Sequence, residues 1–224
     1  MIGTIDFGGA SLLAALTPED RAELAARARR VRYRAGQPIH ERGDPTSNMC
    51  MVIEGAVQLL RRRRDGQIVT DAKIIAGQHY GDISAIDHAA RTHEAVALCD
   101  TVIDHLDPQA FDQLITTQPR IVLALYRITA RRLTVAVGLF DDARRLPPVA
   151  RVASAILGAL DAQGGSGEVP GRQEDIANLL GLSLVTVCKA VNTLAKAGLV
   201  EPGYRRISVK NPKDLENFVQ SHHE

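Results

Sequence analysis

The sequence predicts an α+β protein in which an antiparallel β-roll, one long helix and a C-terminal winged helix-turn-helix follow one another. Short β-rich runs alternate with turn signals between Val31 and His105, a texture typical of a roll or barrel. An uninterrupted amphipathic pattern covers residues 118–146, which is long for a helix that serves one small domain. Two short helical patterns joined by a glycine turn come after Pro148, as in a helix-turn-helix.

Length and composition leave room for two modest domains. The chain has 224 residues, of which 45% are hydrophobic and 24% charged, with a formal net charge of +1; these values are ordinary for a globular protein. No apolar run has the length of a membrane span, and the first residues lack the basic start of a signal peptide. The scattered cysteines, Cys50, Cys99 and Cys188, argue against a disulfide framework or a zinc ribbon. We therefore expect a cytoplasmic protein without membrane contact.

The roll is predicted from five strand-like runs and the turns between them. These runs are Met49–Ile53, Ala56–Leu60, Ile68–Ile75, Ala95–Leu98 and Val102–His105. The dipeptide Asp65-Gly66 between two of the runs is a strong hairpin signal. Before the roll, Thr17 is placed to cap a short helix, and after the roll Asp107 is placed to cap another.

The long helix is expected to join the roll, as the part that senses a signal, to the C-terminal helices, as the part that acts on it. Pro119 suits a first helical turn, and Pro147 with Pro148 imposes the stop, so the helix would be about 40 Å long. Its apolar residues recur every three or four positions, at Ile121, Leu125, Ile128, Val135 and Leu139. The predicted domains are the roll at 1–117, the long helix at 118–146 and the winged helix-turn-helix at 147–224.

The last third of the chain is predicted to bind DNA. Helical patterns cover Val149–Leu160, Arg172–Leu180 and Ser183–Ala197. Gly181 lies in the turn between the last two, and Ser183 is placed to cap the final helix and leave its first turn exposed for a major groove. A strand pair around residues 201–204, with Arg205 and Arg206 on its return, would form a basic wing. The alternative, a helical hairpin that packs against a partner protein, is disfavoured by the cap, the turn spacing and the wing.

Three stretches of the chain are distinctive. They are YRAGQPIHERGDP with the roll that follows, ARRL in the long helix, and RQEDIANLLGLSLVTVCKAVNTLAKAGLV with its wing. In this order and at this spacing they resemble the CRP/FNR family of bacterial transcription regulators, over nearly the whole chain. The resemblance implies a cyclic-nucleotide-binding-like jelly roll, a dimerisation helix and a winged helix-turn-helix.

The resemblance also implies partners. It implies a homodimer that binds a two-fold operator in double-stranded DNA, with RNA polymerase as a further candidate partner and no catalysis. The residues expected to pair along the long helix are Leu125, Ile128, Arg132, Val135 and Leu139.

By the same resemblance, two sets of residues contact DNA. Those for phosphates are Arg172, Gln173, Ser183 and Thr186, with Arg205 and Arg206 on the wing, and those for bases are Leu184, Val185 and Lys189. Charged or polar residues are usual at the first two base positions, so Leu184 and Val185 are a departure. They can contact a thymine methyl but form no hydrogen bond to a base, which leaves Lys189 for a polar base contact. We expect an operator different from the family's best-known one.

A ligand site is expected in the roll. Family members with a nucleotide site carry a Gly-acid-apolar-small turn, and ten residues on an Arg with Ser or Thr. The matching residues, with two from the long helix, are Gly81, Asp82, Ile83, Ser84, Arg91, Thr92, Ala136 and Val137. The glycine lets backbone amides approach a phosphate, the acid accepts from a ribose hydroxyl and the arginine pairs with the phosphate. The implied effector is a cyclic nucleotide, cAMP or cGMP.

Three departures keep other effectors open. Asp82 is one methylene shorter than the usual Glu, and Glu94 would repel a phosphate if it faced inward. Ala136 and Val137 are apolar and cannot read an adenine amino group. The alternatives are a different small ligand or none, and a haem or gas sensor that uses His79, His88 or His93.

Metal chemistry finds little support in the sequence. The iron–sulfur cluster of some relatives needs a group of cysteines near the N-terminus, and no cysteine precedes Cys50. A cupin-like metal enzyme needs clustered histidines with a nearby Glu. The histidines of the roll, which are His40, His79, His88, His93 and His105, show no such spacing. We expect no metal site and no enzyme activity.

Overall fold

The computed structural model describes residues 10–62, 68–162 and 167–223. The chain forms two compact units, and the boundary between them falls between Thr129 and Ala130, inside the long helix Pro119–Arg145. The expected hairpin turn at Asp65-Gly66 and most of the glycine-rich run at 163–167 lie outside the described residues.

The first unit contains the predicted roll. Its strands are β1 (Arg29–Tyr33), β2 (Pro38–His40), β3 (Met49–Glu54), β4 (Ala56–Arg62), β5 (Ile68–Ile75), β6 (His79–Tyr80), β7 (Glu94–Ala97) and β8 (Thr101–Leu106). They form two four-stranded antiparallel sheets, in the orders β1-β8-β3-β6 and β2-β7-β4-β5. The five predicted runs correspond to β3, β4, β5, β7 and β8, so the antiparallel roll is confirmed.

Alternate residues of the strands fill the interior of the roll. On β3, Cys50 and Val52 pack against residues of the other sheet, among them Val57. Met49 and Met51, the intervening residues of the same strand, pack instead with the helices of this unit. This alternation is the period of two that a strand imposes on its side chains.

The helices of the first unit pack together with Met49 and Met51 in a separate hydrophobic core. They are α1 (Leu12–Ala15), α2 (Pro18–Arg27), α3 (Asp82–Ile86), α4 (Pro108–Thr117) and the first part of α5 (Pro119–Arg145). Thr17 and Asp107 cap α2 and α4, where each side chain accepts a hydrogen bond from a backbone N–H three residues later. Leu125 and Ile128 of α5 are only 7% and 4% exposed in this core. These two predicted dimer residues therefore pack within their own chain and are not on the free face of the helix.

The second unit contains the predicted helix-turn-helix and wing. Its elements after α5 are α6 (Pro148–Ala162), β9 (Glu168–Pro170), α7 (Gln173–Leu180), α8 (Leu184–Lys196), β10 (Val200–Gly203), β11 (Arg206–Val209) and α9 (Pro212–Gln220). Helix α8 is bent by 115° from the direction of α7, and Gly181 forms the turn with a left-handed φ of 62°. Strand β9 and helix α9 were not predicted from the sequence.

Helix α6 lies at the centre of the hydrophobic core of the second unit. Its Ile156 and Leu160 are almost fully buried with Ile176 of α7 and Val187 of α8. The guanidinium of Arg151 on α6 donates to the carbonyl oxygen of Leu180 at 2.7 Å, which fixes the end of α7 to α6. Within the described ranges no single helix is long and apolar enough to cross a membrane; the pair α7 and α8 has that length and composition only when taken together across its bend.

Candidate effector pocket and DNA-binding surface

Gly81 and Arg91 are held against each other in the roll. Gly81 precedes α3 with a left-handed φ of 81°, and a Cβ atom at this position would overlap Nη1 of Arg91 and the carbonyl oxygen of Asn48. The loop of Arg91 is fixed by two backbone bonds, from the Gly43 N–H to the Arg91 oxygen at 2.8 Å and from the Arg91 N–H to the Asp44 oxygen at 2.9 Å. A larger residue in place of Gly81 would displace the guanidinium.

Arg91 is a buried cation that makes no ion pair with any described residue. Its exposure is 5%, and its Nη2 lies 3.7 Å from Sγ of Cys50. Its Nε and Nη1 have no hydrogen-bond partner among the described residues. An unpaired buried charge is costly, so this arrangement suits an anion that enters from outside.

A cavity of about 40 Å³ opens beside Arg91. Its lining residues are His40, Leu59, Tyr80, Gly81, Ser84, Arg91, Thr92 and His93. Gly81, Ser84, Arg91 and Thr92 of this set are predicted ligand residues, which the fold brings together. The volume suits a phosphate-sized group and is far below the several hundred Å³ of a usual ligand pocket. The rest of a nucleotide would therefore extend beyond the cavity.

Asp82 and Ile83 do not line this cavity. Oδ2 of Asp82 lies 3.4 Å from Nε2 of His79, and Ile83 is 63% exposed. The contact of Asp82 with a ribose stays a prediction. Glu94 would repel a phosphate if it faced inward, and its two carboxylate oxygens share the Nε–H of Arg62 at N–O distances of 3.0 and 3.1 Å.

The remaining predicted effector residues lie on α5. Ala136 and Val137 are exposed and belong to the second unit, so their contact with a ligand stays a prediction. Within the described ranges, no group of three His, Cys, Asp or Glu side chains is placed to hold a metal ion.

A chain of buried polar contacts lies behind Arg91. Sγ of Cys50 is 3.5 Å from Nδ1 of His105, and Nε2 of His105 is 3.0 Å from the hydroxyl of Tyr33. Burial raises the pKa of the Cys50 thiol and lowers the pKa of His105 to about 4. Burial, and then the charge of Arg91, also lowers the pKa of His40 to about 4. Both imidazoles are therefore neutral at neutral pH.

Acidification from about pH 7 to about pH 5 is expected to destabilise the protein. The native pKa of His40 and of His105, about 4, lies below the value of about 6.5 for an unfolded histidine. The unfolded chain therefore takes up protons first, and the free energy of unfolding falls as the pH falls through this window, by about 1 kcal/mol per histidine after allowance for partial exposure. Urea denaturation at both pH values measures the loss. A variant with both histidines replaced by Gln should lose less stability, and an equal loss would contradict the assignment.

A basic cleft of about 410 Å³ lies where α7, α8 and the wing come together. Its lining residues are Gly171, Arg172, Gln173, Glu174, Leu184, Gly203, Tyr204, Arg205, Arg206 and Ile207. The three arginines are exposed, and the positive end of α7 adds to their field. Arg172 and Arg206 lie 3.9 and 3.7 Å from the exposed carboxylates of Glu174 and Glu168, which are weak surface pairs. A phosphate can therefore compete for these guanidinium groups.

The start of α8 is capped and exposed. Oγ of Ser183 accepts from the Thr186 N–H at 3.1 Å and lies 2.8 Å from the Thr186 hydroxyl. Beyond this cap, Leu184 and Val185 are 48% and 63% exposed. The cap thus leaves two apolar side chains on the outward surface of the helix.

The outward face of α8 is longer than the sequence analysis indicated. Lys189, Asn192 and Lys196 are exposed and follow Val185 at helical spacings of four, three and four. Asn192 and Lys196 were not named from the sequence, although this spacing would have identified them. An asparagine on such a face is suited to bind the edge of an adenine.

One face of α5 is apolar and exposed along most of the helix. We call it the α5 stripe; it consists of Tyr126, Ala130, Leu133, Val137 and Phe140. Its four large side chains are between 59% and 70% exposed, and the spacing alternates between four and three, as in a coiled-coil seam. Arg132, Val135 and Leu139, which were predicted to lie at a dimer interface, are partly buried on the opposite side of the helix.

Comparison with known proteins agrees with this organisation. The family model "Cyclic nucleotide-binding domain" matches residues 30–118, and the model "Crp-like helix-turn-helix domain" matches residues 150–218. The cyclic AMP receptor protein of Thermus thermophilus is 32% identical over 216 residues, which cover 94% of this chain and 97% of the relative. The CRP-like cAMP-activated global transcriptional regulator of Mycobacterium tuberculosis is 27% identical over 212 residues, which cover 92% of this chain and 95% of the relative.

A solved structure extends the likeness to the fold. The catabolite activator protein of Thermus thermophilus matches 95% of this chain and 99% of its own, with a TM-score of 0.56 and 30% identity. These relatives are transcription regulators and not enzymes. The chain is therefore a member of the CRP/FNR family of transcription regulators, with a cyclic nucleotide-binding domain followed by a Crp-like DNA-binding domain.

Proposed function

We propose that the protein is a cytoplasmic homodimer that regulates transcription at a two-fold operator under the control of a cyclic nucleotide bound in the roll. The observation that carries the effector assignment is Arg91, a 5% exposed cation beside a phosphate-sized cavity, with two nitrogens that find no hydrogen-bond partner in the described part of the chain. The phosphate of cAMP or cGMP would neutralise this guanidinium, while Ser84, Thr92 and the backbone at Gly81 contact its other oxygens. Two relatives have cAMP in their names, which makes cAMP the first nucleotide to test.

Wild-type protein is expected to bind cAMP or cGMP in calorimetry, and Arg91→Met to weaken that binding at least about 100-fold, because it removes charge-assisted hydrogen bonds in a buried site. Arg32→Met, at an exposed arginine of the same roll, is the matched control and should bind as the wild type does. No heat from either nucleotide, or unchanged affinity in Arg91→Met, would overturn the nucleotide assignment.

A small anion other than a cyclic nucleotide is the second candidate effector. Asp82 lies at ion-pair distance from His79 and does not line the cavity, and Ala136 and Val137 offer no hydrogen bond to a base. Both observations favour a ligand that uses the anion site alone. Thermal-shift measurements with a panel of anionic metabolites, on wild type and Arg91→Met, distinguish this candidate from the first.

On DNA, we assign α8 to the major groove and the basic cleft to the phosphates. The two α8 helices of a dimer would enter grooves about 34 Å apart. Leu184 and Val185 would contact thymine methyls, Lys189 would contact a guanine and Arg172 would contact a phosphate on each half-site. The exposure of all four side chains supports this assignment.

The α5 stripe is the proposed dimer seam. Its spacing fits a parallel pair of helices, and an exposed apolar face of this kind is unusual on a monomer. In this proposal the roll senses the effector, α5 pairs the protomers and the segment from Pro147 carries the DNA-binding surface. Effector binding would change the pairing of α5 and so the spacing of the two α8 helices. RNA polymerase remains a proposed partner of the DNA-bound dimer.

A further inference from the structure

His40 lines the same cavity as Arg91, and its imidazole is without a hydrogen-bond partner of normal geometry among the described residues. Neither Nδ1 nor Nε2 makes a hydrogen bond there, although both atoms are buried. The His40 ring lies 5.9 Å from the ring of Tyr80, centroid to centroid, with 37° between the planes. Tyr80 is 4% exposed and also lines the cavity, so its packing limits the orientations that the imidazole can take.

The fold does not require an imidazole at this position. His40 ends β2, an edge strand whose neighbour is β7, and it pairs there with Ala95. An apolar residue would fill the same place without leaving polar atoms unsatisfied, which buried polar groups rarely are. The imidazole is therefore explained better by a partner that enters the cavity.

The chemistry of that partner follows from His40 and Arg91, which both line the cavity. A neutral imidazole has one N–H donor and one acceptor nitrogen, and Arg91 offers donors only. A ligand that accepts a hydrogen bond from each residue is an anion with more than one acceptor oxygen. The cyclic phosphate of a nucleotide has two free oxygens, and the cavity of about 40 Å³ has room for that group.

We propose that His40 is a second ligand-binding residue of this cavity, whose ring N–H donates to an oxygen of the phosphate group that Arg91 neutralises. This inference rests on the proposed function and extends it, because it gives the phosphate a donor from strand β2 in addition to those of the Gly81–Arg91 loop. Tyr80 orients the ring, and His40 sets part of the affinity for the effector.

His40→Phe keeps a ring of similar size and removes both nitrogens. It is expected to bind cAMP or cGMP about 10- to 100-fold more weakly in calorimetry, the usual effect of losing one hydrogen bond to a charged group. His40→Asn keeps a side-chain N–H donor and should recover part of the loss. The matched control is His88→Asn, at a side chain that is 59% exposed, and it should bind as the wild type does. Wild-type affinity in His40→Phe would overturn the proposal.

Inorganic phosphate tests His40 without any nucleotide. In protein labelled with ¹⁵N-histidine, the ring signal of His40 is identified by its loss in His40→Asn. We expect phosphate to shift this signal saturably in the wild type and not in Arg91→Met. A signal that does not move, or moves equally in Arg91→Met, would refute a role for His40. If the wild type binds neither cAMP nor cGMP, the proposed effector is wrong, and the phosphate titration still decides whether His40 binds an oxyanion.

Discussion

Glutamate at both Leu133 and Phe140 is expected to convert the dimer into monomers and to weaken operator binding at least about 100-fold. Both side chains lie on the α5 stripe, where they are 64% and 65% exposed in the single chain. Burying an aliphatic or aromatic side chain is worth about 1.5–3 kcal/mol, and the double substitution removes four such side chains from a symmetric seam. It also places like charges opposite each other, and a monomer contacts only one half-site.

The matched control for the seam is Arg131→Glu, because Arg131 is exposed and lies more than about 100° from the middle of the stripe at 100° per residue. It introduces the same side chain outside the apolar face and should remain dimeric. Sedimentation velocity gives the oligomeric state, and a gel-shift titration gives the affinity for DNA. A double variant that stays dimeric would show that the protomers pair through another surface.

The long helix illustrates what the sequence of an amphipathic helix can and cannot specify. Its pattern predicted the helix and its two ends correctly, because Pro119 and Pro147 mark both. The pattern contains two apolar faces, however, and periodicity alone does not tell which one packs within the chain. Leu125 and Ile128 pack within the first unit, so the free face is the one that includes Leu133. Only the three-dimensional position of the roll distinguishes the two faces.

The surroundings of Arg91 were predicted in part for a similar reason. The Gly81–Arg91 motif is local in sequence, and its glycine and arginine do lie together beside a cavity. His40 lies more than forty residues before this motif, and the antiparallel pairing of β2 with β7 brings it to the cavity. No spacing rule connects residues that are joined only through a sheet. The pairing of Asp82 with His79 was missed because it depends on side-chain direction at the start of α3.

The DNA-binding surface was the most predictable part, since its determinants are short-range. Neighbouring residues are enough to predict the cap at Ser183, the left-handed Gly181 and the periodic spacing of apolar residues along α8. Helix α9 had comparable signals, with Asn211 as its cap and Pro212 in its first turn. Their chemistry is that of α2, where Thr17 is the cap and Pro18 lies in the first turn.

Replacing Arg172, Arg205 and Arg206 together by Ala is expected to weaken binding to every DNA sequence alike, by at least about three orders of magnitude near physiological salt. All three border the same basic cleft, and on a dimer they would neutralise about six phosphates. Because each phosphate contact contributes about 0.9 to the slope of log affinity against log salt, the slope should fall by about 5. Fluorescence anisotropy over a series of salt concentrations measures both quantities on operator and random DNA.

Two comparisons separate this effect from other causes. The same triple substitution at Arg29, Arg32 and Arg34, exposed arginines of the first unit, removes equal charge and should leave the slope nearly unchanged. Lys189→Ala should lower affinity for the selected operator more than for random DNA, because a base contact discriminates between sequences and a phosphate contact does not. If Lys189→Ala weakens both DNAs equally, α8 does not read bases through Lys189. If the cleft variant keeps the wild-type slope, the phosphates are bound by another surface of the DNA-binding unit.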